Sequence, residues 1–197
     1  MAQIAVEQAE AAEAAPAHAN PAPLGLSGFA VTTFMLSIVN AGLIPASDAT
    51  FLSLAIAFGG LAQLLAGMWA FKARNTFAAT AFSTYGAFWL SVAVGALTKT
   101  ATVGSVGFSW YLLIWGILTF VYLIAALKTN GALIAVLFFL TITYLALAIG
   151  GFAVSKTWIG IGGWLGIITA ILAEYTALAD LLAEGTSFFK LPTFPMS

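Results

Sequence analysis

Side chains able to bind or move a small solute are few in this sequence, and most of them are neutral. Two carboxylates, Glu174 and Asp180, interrupt an otherwise apolar stretch near the C-terminus. Six positions apart on a helix they lie about 600° round the axis, on different faces, so they do not form a close acid–base pair. Glu174 is the deeper of the two and is costly against lipid, so it lines water, is protonated, or meets another subunit. Asp180 and the nearby Glu184 are expected at the inner interface. The other polar groups inside apolar stretches are hydroxyls and amides: Thr32, Thr33, Asn40, Gln63, Thr80, Ser83, Thr84, Thr141 and Thr143. An amide facing lipid leaves polar atoms unsatisfied, so Asn40 and Gln63 are expected to face a bundle interior. Single threonines serve equally well as glue between helices.

No catalytic set can be assembled from these residues. The chain has no cysteine, and its one histidine, His18, stands in a polar N-terminal segment. A Ser–His–Asp arrangement, a set of metal ligands and a glycine-rich phosphate loop are all missing. Neither an enzyme nor a cofactor is expected, and no metal.

One short segment has a definite local chemistry. In Asn20-Pro21-Ala22-Pro23-Leu24-Gly25-Leu26, Asn20 is suited to cap a helix while Pro21 takes the first helical position, where a missing N–H costs nothing. Such a helix end presents free N–H groups and partial positive charge, a place for a small anion.

The elements that must hold these groups follow from composition. Of 197 residues, 62% are hydrophobic and 7% charged, whereas soluble domains carry about 25% charged residues. Mean hydropathy is +1.06. So few charges cannot cover a protein of this size in water, and the missing solvent is a bilayer. A net charge of −1 gives no field for nucleic acid. A span takes about 20 residues, and six fit: 23–44, 49–71, 76–98, 107–127, 132–154 and 158–183. An all-α membrane protein is therefore expected, with a six-span transmembrane domain over 20–185.

All six basic residues fall in the breaks or the C-terminal segment. With the N-terminus inside, Lys72, Arg74, Lys128 and Lys190 are cytoplasmic while Lys99 and Lys156 are outside, a positive-inside bias that places both termini in the cytoplasm. Residues 1–19 are acidic and alanine-rich and are expected to be a disordered cytosolic tail rather than a signal peptide. Residues 186–197 are expected to be a second cytosolic tail. Spans two and three (Gly60 to Gly95) and spans four and five (Gly116 to Gly150) have similar punctuation, which points to a repeated helical hairpin of parallel topology.

Four blocks of residues carry a resemblance. Asn20 to Leu26 with Gly28-Phe29-Ala30-Val31-Thr32-Thr33, Gly59-Gly60-Leu61-Ala62-Gln63 with Ala66-Gly67, Asn75-Thr76-Phe77 with Thr80-Ala81-Phe82, and Tyr85-Gly86 before Phe88-Trp89 resemble the acetate uptake transporter family, the succinate/acetate permeases. The resemblance implies a homo-hexamer in the plasma (inner) membrane with one pore per protomer. It implies passage of acetate, and in some members succinate, channel-like or coupled to protons. It also implies a hydrophobic constriction, which falls by motif position on Phe29, Tyr85 and Leu140. Glu174 has no counterpart in the pattern.

Gly25, Phe29, Thr32, Leu36 and Asn40 recur at three- and four-residue spacing, a mixed face that suits a pore. The polar residues expected along the path are Asn20, Thr32, Thr33, Asn40, Gln63, Asn75 and Thr84. A channel for small neutral solutes such as urea, or a proton-gated channel, would use the same bundle and ring.

Overall fold

The computed structural model describes residues 18–45, 47–100, 105–185 and 188–196. Most of the acidic tail read as disordered therefore lies outside the described residues. Six helices follow one another: α1 (Ala22–Asn40), α2 (Phe51–Lys72), α3 (Thr76–Thr98), α4 (Val106–Ala126), α5 (Gly131–Phe152) and α6 (Lys156–Glu184). Each is long and apolar enough to cross a membrane. The largest departure from the sequence reading is at the end of α1, which stops at Asn40 before a turn with Gly42 at φ 75° rather than running to residue 44.

The helix starts are chemically alike at each end of the bundle. Asn75 and Asn130 accept, through Oδ1, the N–H groups of Ala78 (3.0 Å) and Leu133 (2.9 Å). Asn20 does the same for Ala22 at 3.0 Å. There the structure corrects the expectation by one residue, because Pro21 itself holds the cap position and Asn20 stands just before it. At the opposite end, Ser105 and Ser155 cap α4 and α6 through Phe108 (3.2 Å) and Trp158 (3.5 Å). Beside the start of α2, hydrogen bonds from the Thr50 hydroxyl and, at 2.8 Å, from the Thr50 N–H hold the Asp48 carboxyl below its usual pKa.

The three asparagines stand 55 residues apart, at 20, 75 and 130. The hairpin repeat is thus threefold, α1–α2, α3–α4 and α5–α6, and its frame is shifted from the pairing of spans two and three with four and five. The helices form a ring in which successive neighbours touch and α6 closes on α1. The odd helices lie inward: half of each apolar stretch is buried in α1, α3 and α5 (50, 56 and 50%), against 33, 28 and 39% in α2, α4 and α6. Among the described residues, no Cα of α5 comes within 8 Å of one in α1 or α3. Side chains and empty space fill that gap.

Missing side chains set the tighter contacts. A Cβ on Gly86 would stand 2.8 Å from the Leu64 N and 2.9 Å from the Gly60 O, so α2 and α3 touch backbone to backbone. The α2 backbone is π-helical over Ala57–Ala62, the stretch that contains Gly59 and Gly60.

Candidate functional site

Two cavities lie along the gap between the odd helices. The first, about 240 Å³, is at the end where those helices begin, and Asn20, Asn75, Asn130, Gln63 and Asp180 line it. It is called the amide cavity below. The second, about 110 Å³, lies toward the opposite end and is lined by Phe88, Trp89, Phe108 and Tyr144 together with Thr33 and Asn40. This is the aromatic cavity. Neither is lined by Lys or Arg.

Phe29 and Leu140 border both cavities, and Tyr85 borders the amide cavity. Each comes from a different odd helix, nine or ten residues after its asparagine. They are 4, 3 and 4% exposed respectively. The Phe29 and Tyr85 rings lie 5.6 Å apart, tilted against each other. The hydroxyl of Tyr85 points to α4, where it donates to Thr119 Oγ1 at 3.0 Å. It is therefore engaged by the protein, and the layer offers a passing solute mainly carbon.

The polar residues expected along the path divide. Asn20, Gln63 and Asn75 line the amide cavity, and Thr33 and Asn40 the aromatic one. Thr32 borders neither. It is fully buried against α2, donating weakly to the Leu54 carbonyl (3.4 Å), and a Cβ on Gly59 would stand 2.6 Å from its Oγ1. The threonine of α1 that lines a cavity is its neighbour, Thr33. Thr84 also borders neither cavity, because its hydroxyl pairs with Tyr122 of α4 at 3.0 Å. Glu174 is on the outer face of the helix bundle, exposed, accepting from Ser27 Oγ at 3.3 Å. It does not line either cavity.

Asn130 and Asp180 line the amide cavity as well, beyond the polar residues expected from the sequence. The 55-residue spacing would have found Asn130, whereas nothing local distinguishes Asp180 from an interfacial carboxylate. The C-terminal segment is docked rather than loose. The Gly131 N–H donates to the Phe194 carbonyl (2.8 Å) and the Ala132 N–H to that of Thr193 (3.1 Å), while the Tyr175 hydroxyl donates to the Pro192 carbonyl (2.7 Å). The first N–H groups of α5 are thereby satisfied by the chain itself.

Residues 5–197 match the GPR1/FUN34/yaaH family. The chain belongs to that family. Among its relatives, the succinate-acetate/proton symporter SatP of Escherichia coli (strain K12) is 39% identical over 178 residues, covering 88% of this chain and 94% of the relative. Acetate permease A of Emericella nidulans is also 39% identical, over 91% of this chain and 67% of its own. A solved structure of the bacterial acetate channel SatP superposes with a TM-score of 0.84 at 38% identity, covering 89% of this chain and 99% of that one. The six-helix architecture is thus that of a GPR1/FUN34/yaaH channel or permease, an integral membrane protein.

Proposed function

We propose that this protein passes acetate, and the related dicarboxylate succinate, across the membrane through a pathway within each protomer. The observation that carries the proposal is the pair of largely apolar cavities, each with a few amide or hydroxyl groups, that meet at Phe29 and Leu140 with no basic side chain along either. A carboxylate in the amide cavity exchanges water for amide donors and for the positive ends of α1 and α3. Its short apolar end can approach the carbon-rich ring. Hydrated inorganic ions cannot, because apolar side chains at a constriction exclude their water. Without a Lys or Arg to trap the anion, binding stays weak enough for release. The names of the relatives support the cargo.

The same proposal covers assembly and orientation. Six copies surround a common axis, and the amide cavity faces the cytoplasm with both termini. Large exposed apolar side chains along α4, among them Trp110, Ile114 and Phe120, require lipid or a second copy to cover them. Glu174 is better placed at a subunit contact than against lipid tails. Cysteine introduced at Ala73 is expected to label only after permeabilisation, and at Thr100 in intact cells.

The deciding experiment is uptake of labelled acetate into liposomes containing the purified protein, with and without a proton gradient. Saturable uptake blocked by excess succinate is expected. Flux of urea or glycerol with no acetate flux would replace this reading by a neutral-solute channel.

A further inference from the structure

Of the three ring residues only Tyr85 has a polar atom in its side chain, and α4 holds it. While the Tyr85 hydroxyl donates to Thr119 Oγ1 at 3.0 Å, the hydroxyl of the adjacent Thr84 pairs with Tyr122 Oη, also at 3.0 Å. The two bonds are reciprocal, since each helix supplies one tyrosine and one threonine, and together they clasp α3 to α4. Trp115, Thr119 and Tyr122 stand at i, i+4 and i+7 on one face of α4. That face backs the Tyr85 ring, with the Trp115 ring at 6.5 Å and the Tyr122 ring edge-on at 5.9 Å. Little else joins the two helices: few Cα atoms of α3 and α4 come within 8 Å of each other, whereas α2 and α3 touch backbone to backbone. Helices in lipid associate through close packing or polar bonds, so here the bonds matter. Thr119 also differs from four other buried threonines. Thr141, Thr143, Thr169 and Thr176 donate to carbonyls four residues back in their own helices at 2.7 to 2.9 Å, but the bond of the fully buried Thr119 crosses to the next helix.

We infer that Thr119 and Tyr122 are positioning residues for the constriction, holding the Tyr85 ring at the edge of the path and its hydroxyl out of it. A buried phenol hydroxyl without a partner is costly, so it turns to the nearest acceptor or water. Thr119 Oγ1 keeps it on the α4 side. Without that acceptor the polar space left to Tyr85 is the amide cavity, which it lines and where Gln63 Oε1 has no partner. A ring turned that way leaves the layer one wall short. Phe29 and Leu140 have no polar atom for such a bond, so packing alone places them. Size selection thus depends on a residue, Thr119, that borders neither cavity. The role rests on the transport reading above for its cargo. It adds control of the aperture from α4, whose outer face carries the exposed Ile117 and Phe120.

The test reads the ratio of lactate to acetate flux in liposomes holding the full chain at matched protein amounts. Thr119→Val keeps the shape and removes the acceptor, and it should raise the ratio about threefold, the scale of a modest neutral hydrogen bond. Thr119→Ser keeps the hydroxyl and should return the ratio to that of the unchanged protein. In a Tyr85→Phe background, which has no donor, Thr119→Val should add nothing. Tyr122→Phe, at a half-buried position, serves where Thr119→Val does not fold, and should move the ratio the same way by less. A threonine that only packs predicts a lower thermal midpoint with an unchanged ratio, and that result would overturn the inference. So would a shift of equal size with and without the Tyr85 hydroxyl. If the unchanged protein passes urea and no acetate, the transport reading falls, and the clasp is judged by the glycerol-to-urea ratio in the same variants.

Discussion

The two cavities differ in what they offer a carboxylate, and the difference follows from helix direction. The odd helices all begin at the amide cavity, which therefore receives their caps at Asn20, Asn75 and Asn130 and the positive ends of α1 and α3. It also holds an acceptor, the unpartnered Gln63 Oε1, and a carboxylate, Asp180. The aromatic cavity is smaller and is lined mainly by rings and aliphatic side chains. One side thus carries helix caps, an orphaned amide oxygen and a carboxylate, and the other mostly aromatic and aliphatic side chains with a few hydroxyls and one amide. Between them, Phe29 and Leu140 carry no polar atom beyond the backbone. In the proposed transport route, capture belongs to the cavities and selection by size to the ring.

The comparison breaks most completely if the two spaces are joined. Leu140→Ala removes a side chain that borders both cavities, and the flux of lactate relative to acetate should rise about tenfold, equivalent to about 1.4 kcal/mol of barrier. The stability cost should fall short of the 2–5 kcal/mol typical of a packed leucine, because space already lies on two sides of it. Phe29→Ala should add leak of urea. Lactate and acetate fluxes measured at matched protein amounts check this, and an unchanged ratio would remove Leu140 from the filter.

A smaller effect should be confined to one side. Asp180 is half-buried on the amide cavity, and a like charge within a few ångströms in water opposes an anion by about 1 kcal/mol. Asp180→Asn is therefore expected to lower the half-saturating acetate concentration about fivefold from the amide side and to leave the other side unchanged. Flux from oriented vesicles loaded on either side separates the two. A symmetric change would mean that Asp180 acts through the fold.

Much of this architecture is legible in the residues. Spans are set by apolar runs of bilayer length, and the helix starts by Asn and Ser, whose short side chains reach the first free N–H groups. What is hidden is which face of a helix turns inward. Three- and four-residue spacing admits Thr32 as readily as Thr33, and the close approach of the π-helical stretch of α2, at Gly59, settles the choice. Thr84 is withdrawn from the path by Tyr122, a partner 38 residues away. Trp89 and Tyr144 read as apolar filling until their polar atoms are seen to lack partners. The threefold period escapes notice because equivalent layers differ in residue type, Phe, Tyr and Leu in one, Thr, Trp and Tyr in the next.

The smallest expected effect lies within the amide cavity and concerns stability more than flux. Asn75→Ala removes the acceptor for the Ala78 N–H, and loss of such a cap costs about 0.5–2 kcal/mol. Asn130→Ala removes the matching bond to Leu133. The start of α5, however, keeps the carbonyls of Thr193 and Phe194 on its first two N–H groups, with the Met196 N–H donating back to the Thr129 carbonyl at 3.0 Å. A helix end held by a docked segment frays less, so Asn130→Ala should lower the thermal midpoint less than Asn75→Ala does. Deleting residues 190–197 should bring the two to equal cost. If Asn130→Ala is as damaging in the full chain as Asn75→Ala, the C-terminal segment does not support α5, and the three helix starts are equivalent in energy as well as in sequence.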